Sequence, residues 1–413
     1  MATHNRWVIA AAGVLMQIAL GAVYAWSVFR IPLTRSFGWT ISEVTLTFTI
    51  AIFVLGLAAF GGGLWMRRAG PRTVAVTAGV LYGLGVFLAS LTGGRLWWLY
   101  CSYGLIAGVG LGLGYIVPVA TLVKWFPDKR GLITGLAVAG FGAGALITAP
   151  IATRLISTVG VLQTFAILGT VYFIAVTGGA LFMRNPPDGY QPPPKKGYGP
   201  FSASRDHQKG AVPLFRSYTL GEALRSWQWY GLWTLLFLNT TAGIAVISQA
   251  APMVQEITNI SAARAASVVG LISIANGAGR LLWAWLSDVI GRRLVFLAMF
   301  SLQAILFWLL PSAHGLPAFA ALAVFVFLCY GGGFGTMPAF AADYFGTDHV
   351  GSIYGLMLTA WSVAGVLGPT VMATMRERSG RYDDALHLIA GLMLVSAIIP
   401  LLVRPPAAQR DRD

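Results

Sequence analysis

The chain has 413 residues, of which 57% are hydrophobic and only 10% charged, with a mean hydropathy of +0.72. Soluble domains carry about 25% charged residues, so this composition excludes an ordinary globular protein and indicates a polytopic membrane protein. The net charge of +14 does not indicate a nucleic-acid partner, because the basic residues fall between the apolar runs.

The N-terminal apolar run is longer than a secretory signal core and is expected to be kept as the first span. Six spans are predicted at 7–29, 41–66, 73–92, 96–124, 131–157 and 163–183. A Pro- and Gly-rich, basic stretch at 184–226 then reads as a surface linker, with a short amphipathic helix near Ser217–Arg225. Six more spans are predicted at 227–254, 262–288, 293–311, 317–344, 350–375 and 385–403. The expected division is a first six-helix bundle over 1–183, the linker 184–226, and a second bundle with a short tail over 227–413. Lys and Arg set the topology. One set of span ends, with the linker and both termini, holds 19 of them and the other set eight, which predicts cytoplasmic termini.

The halves repeat. Gly70-Pro71-Arg72 matches Gly291-Arg292-Arg293, and Pro118, Gly131 and Gly135 match Pro338, Gly351 and Gly355. Two like-oriented six-helix units are the pattern of transporters built from parallel repeats. Leu286-Ser287-Asp288-Val289-Ile290-Gly291-Arg292-Arg293 resembles the loop motif of the major facilitator superfamily. There Asp288 would cap a helix end, Gly291 would make the turn, and Arg292 and Arg293 would pair charges, in gating rather than binding. The first-half copy is degenerate, with Arg67 in the aspartate position before Gly70. The glycines at 108, 110, 112 and 114, repeated at 331, 332, 333 and 335, lie inside spans and read as close helix packing, not a nucleotide loop.

Arg280 stands eight residues before Asp288, roughly 12 Å along a helix. It therefore lies near the middle of a bilayer core about 30 Å thick. A guanidinium there costs on the order of 3 kcal/mol and cannot lose its charge. All fourteen acids fall in loops, termini or helix ends, so the natural partner is a substrate anion. An unoccupied Arg280 is expected to resist closure of the site. Asn276, at i−4, shares its face and would add a hydrogen bond. Tyr24, Tyr115, Phe141, Tyr330, Phe334 and Trp361 lie at mid-span depth, and tyrosine there needs a polar partner. Cys101 and Cys329 sit in apolar spans, and the five histidines lack ligand spacing, so neither a disulfide nor a metal is expected. No nucleophile–base pair or phosphate loop suggests an enzyme, and no cofactor is implied.

The whole chain resembles the oxalate–formate antiporter and monocarboxylate transporter branch of that superfamily. Arg184-Asn185-Pro186-Pro187 with Gly189-Tyr190, the stretch from Tyr218-Thr219-Leu220 to Trp233, and Asn276-Gly277-Ala278-Gly279-Arg280 leading to Ser287-Asp288 carry the likeness. It looks most like bacterial members that carry L-lactate with a proton. The resemblance implies an all-α membrane protein of the major facilitator fold, with twelve helices in two pseudo-symmetric bundles, and carboxylate binding by Arg280. Oxalate exchangers of this branch have a lysine where Thr359-Ala360 is followed by Trp361 here, so one cation remains and a single carboxylate is expected. Animal members have an aspartate at the place of Asn276 and a lysine at that of Val28, so the usual proton-handling pair is missing. Val28, Phe141, Phe334 and Trp361 would then hold a small apolar tail. The expected partners are a small monocarboxylate, a proton and the inner-membrane bilayer, with the chain acting as a monomer. The alternative is a carboxylate exchanger that carries no proton.

Overall fold

The computed structural model describes residues 5–187, 189–190, 217–260, 262–313 and 315–406. The linker between 191 and 216, the tail from 407 and the side chain of Arg264 lie outside the described residues, and with them several of the basic residues that set the expected topology.

The first half begins with α1, Arg6–Phe37, re-registered by a 3-10 turn at Ala22–Ala25. A single 49-residue run, Ile41–Ala89, follows; it breaks at Gly70 (φ 79, ψ 163), which no other residue type adopts easily. The break separates α2 (41–69) from α3 (71–89). Next come α4, Leu96–Trp125; α5, Arg130–Val159; and α6, Val161–Ala180. The second half contains α7, Trp227–Thr258; α8, Ala262–Ile290; α9, Arg292–Leu309; α10, Leu316–Phe345; α11, Val350–Ser379; and α12, Asp383–Leu402. Among the described residues ten runs are long and apolar enough to cross a membrane, one of them holding both α2 and α3. Ala262–Ile290 completes the twelve.

Differences from the expected limits have local causes. The first helix runs to Phe37 and the eleventh to Ser379, because each ends on a left-handed glycine, Gly38 (φ 72) and Gly380 (φ 76). The third stops at Ala89, where Ser90 and Thr92 donate to the carbonyls of Phe87 and Ala89 at 2.6 Å. The expected amphipathic helix is one turn, Leu220–Leu224, set by a capping box between Thr219 and Glu222. The Gly70 and Gly291 turns have matching backbones, φ 79, ψ 163 against φ 91, ψ 151, as the repeat requires.

The glycine runs are packing faces. A Cβ on Gly112 would stand 2.2 Å from the Leu55 carbonyl oxygen, and one on Gly335 2.0 Å from that of Arg280. Such approaches replace a hydrophobic driving force that lipid does not supply. The two halves meet along α5 with α8 and α10, and along α2 with α11. These contacts cluster toward the end that carries the Gly70 and Gly291 turns, here called the basic end. There Gly63 faces Gly351, Gly355 faces Ala59, and Ser362 Oγ donates to the Phe53 carbonyl at 3.1 Å.

Candidate functional site

Asn276 and Arg280 stand one turn apart on α8, both buried, Arg280 at 0% exposure. Small residues make room for the guanidinium. Gly142 of α5 lies against Gly277 and the Arg280 side chain, where an added Cβ would sit 3.2 Å from one and 3.5 Å from the other. That approach lets Arg280 Nη1 donate to the Val138 carbonyl across the interface at 3.0 Å. The guanidinium carbon lies 5.1 Å from the Phe334 ring centre and 6.0 Å from that of Phe141.

The sequence-predicted aromatics converge here from five helices. Phe141 meets Tyr24 edge-on at 5.3 Å and Tyr115 at 5.2 Å. Trp361 closes on Phe334 at 4.9 Å and reaches Tyr24, Tyr115 and Phe141 at 6.0–6.2 Å. Tyr330 packs on Phe334 at 5.6 Å. Val28 is half-buried, one turn beyond Tyr24, and packs against the buried core. Arg280, expected to resist closure, is nonetheless enclosed. Two ring faces and one carbonyl replace part of its hydration.

The polar atoms left over define the chemistry. Among the described residues no carboxylate lies within ion-pair distance of Arg280. Arg280 Nε and Nη2 are buried without a hydrogen-bond partner, as are the hydroxyls of Tyr24, Tyr115 and Tyr354 and the Oδ1 of Asn276. Nε and Nη2 form one edge of the guanidinium, the two-pronged donor that matches the two oxygens of a carboxylate. Five unpartnered donor groups are thus buried beside apolar rings.

Sequence reasoning missed four contributors. Tyr354 lies one turn into α11, so a rule based on mid-span depth passes over it. Gln17 Nε2 donates to the Tyr115 carbonyl at 3.2 Å, and Asn239 Nδ2 to that of Tyr330 at 3.0 Å, with Gln303 donating to Asn239 at 3.4 Å. These buried amides hold the backbone beneath two site tyrosines from α1 and α7. Amides alone in apolar runs were the only signal for them.

The loop motif forms a separate cluster at the basic end. The Asp288 carboxylate accepts from the backbone N–H groups of Gly131 and Leu132, both at 2.8 Å, capping α5 of the other half. Arg292 bonds Asp288 at 2.7 Å and Asp343 at 2.8 Å, and Arg130 bonds Asp343 at 2.8 Å. Arg293 donates to the carbonyls of Pro400 and Leu401. Asp288 is therefore a cap, as expected, but of a helix in the opposite half.

The family model of the Major Facilitator Superfamily matches residues 9–252 and 232–413. The chain belongs to that superfamily. It is 27% identical over 410 residues to the oxalate:formate antiporter of Oxalobacter formigenes, covering 97% of this chain and 93% of that one. It is 26% identical over 408 residues to human monocarboxylate transporter 11, covering 95% and 82%. The Escherichia coli fucose:proton symporter superposes with a TM-score of 0.72 at 15% identity, over 98% of this chain and all of that one, which establishes the fold. The protein is thus a multi-pass transporter of the major facilitator fold, similar in sequence to oxalate and monocarboxylate carriers, and not an enzyme.

Proposed function

We propose that the protein is a secondary transporter of small monocarboxylates, such as L-lactate and pyruvate, coupled to proton symport. The unpartnered Nε–Nη2 edge of Arg280 carries this reading. A carboxylate would accept from that edge, Tyr24, Tyr115 and Tyr354 would donate to its oxygens or to a 2-hydroxyl, and Asn276 Oδ1 would accept from that hydroxyl. Phe141, Phe334 and Trp361 would pack against a short apolar tail and supply no second cation, so one carboxylate is favoured over two. A monoanion crossing with a proton moves no net charge.

Residues 1–183 and 227–413 then act as the two moving units, joined by 184–226, with α5/α8 and α2/α11 parting at one end as they close at the other. The basic end faces the cytoplasm of a cell whose inner membrane holds the chain as a monomer. The absence of a carboxylate near Arg280 among the described residues favours a second reading, exchange of two carboxylates with no proton.

Ligand-dependent thermal protection of the purified protein tests the site under both readings, since a ligand of the folded state stabilises by RT ln(1 + [L]/Kd). L-lactate and pyruvate should protect, oxalate less, and neutral lactamide not at all. Protection by lactamide equal to that by lactate would sink the carboxylate assignment.

A further inference from the structure

The basic end is built asymmetrically. In the second half Asp288 supplies a carboxylate that ties α8 to the start of α5. The repeat places Arg67 at the corresponding position of the first half, and Gly351, at the start of α11, opposite Gly131. Where the second half has an ion-paired cap, the first half has a cleft of about 630 Å3. Its walls include Arg67, Arg68 and Lys124 from the first half, and Asp348, His349 and Gly351 from the second.

Three cations thus face one carboxylate across the junction between the halves. Among the described residues none of the three forms an ion pair. Arg67 and Arg68 are exposed, Lys124 is half-buried, and His349 Nδ1 is buried without a partner. His349 is held below the usual histidine range, first by burial and then by Arg67 and Lys124, against the opposing pull of Asp348 and Glu222. It is therefore neutral at pH 7, with one ring nitrogen free to bond and no added repulsion of a cation.

We propose that this cleft binds a terminal phosphate group, either the free ion or the monoester headgroup of phosphatidic acid, which completes the first-half gate. A carboxylate offers two oxygens. A phosphate offers more acceptors and more charge, enough to engage Arg67 and Lys124 on one side and His349 or the Gly351 N–H on the other. Bridging the halves, it replaces the carboxylate that Arg67 has displaced and holds the basic end closed. The site is separate from Arg280 and stands whether or not the substrate reading is correct.

The test uses the full chain in phosphatidylcholine nanodiscs, with Ala59→Cys as reporter in a Cys101→Ser background. Ala59 is fully buried against Gly355 in the closed interface, so its labelling rate reads opening. Inorganic phosphate is titrated against chloride at matched ionic strength, and a second arm adds phosphatidic acid, whose monoester headgroup the diester phosphatidylcholine lacks. Phosphate should slow labelling about threefold or more, saturably, if the free ion is the ligand; slowing by phosphatidic acid alone identifies a headgroup. Lys124→Gln should weaken either response by about tenfold, the scale of a lost charge-assisted bond. Arg68→Gln, at an exposed position that leaves folding intact, should weaken it by about threefold. No slowing in either arm overturns the proposal, as does an unchanged response in both variants.

Discussion

Replacing Arg280 with methionine separates a functional arginine from a structural one. Methionine keeps the unbranched apolar stem and removes the guanidinium. Two charge-assisted bonds to a substrate carboxylate disappear with Nε and Nη2, each worth about 1.5–3 kcal/mol. The combined loss, about 3–6 kcal/mol, corresponds to a fall of roughly two to four orders of magnitude in affinity. Folding should respond in the opposite sense. The substitution gives up one bond to the Val138 carbonyl, about 1 kcal/mol, and the contacts over Phe334 and Phe141. It also removes a buried charge with no carboxylate partner among the described residues, and replacing buried ionic groups by apolar ones typically gains about 1–4 kcal/mol. Thermal unfolding without ligand should therefore place Arg280→Met at or above wild type, while lactate protects wild type alone. A variant that unfolds well below wild type yet still transports would refute the reasoning, because Arg280 would then be a structural tie.

Trp361→Lys should bring a second cation to the ring and shift preference from lactate toward oxalate; competition between the two acids in uptake reads this, and unchanged preference contradicts the charge argument. Asp288→Ala removes the acceptor of two backbone N–H groups across the halves. With Asp288 partly exposed, about 2–3 kcal/mol of closure is lost, so cysteine labelling at the basic end should rise by more than tenfold while lactate protection survives. Gly335→Ala forces a Cβ to 2.0 Å from the Arg280 carbonyl oxygen. It should lower the unfolding midpoint sharply and weaken lactate binding, since α10 must move off α8; a neutral outcome would mean these helices pack less closely than described.

The helix count, the repeat and the burial of Arg280 beside Phe141 and Phe334 were legible because each rests on strong physics. An uninterrupted apolar run has few fates in a bilayer, and an arginine at mid-depth needs an explanation. Glycine at Gly70 and Gly291 marked the turns because only that residue takes the backbone required. Less was legible where the partner is a backbone atom. Nothing in the residue types announces that the Val138 carbonyl would take Arg280 Nη1, or that Gln17 and Asn239 would reach the carbonyls of two site tyrosines. Tyr354 escaped because depth along a span is a poor guide once two helices cross. Asp288 was read correctly as a cap, but its client is in the other half, a relation visible only once the halves meet.

The most direct measurement is uptake of labelled L-lactate by proteoliposomes holding no internal carboxylate, under an inward proton gradient, for wild type and Arg280→Met. The account predicts accumulation above equilibrium in wild type, collapse on adding a protonophore, and background uptake in the variant. Equal uptake by the two proteins, or no accumulation of any monocarboxylate whether or not the lumen is loaded with carboxylate, would contradict it.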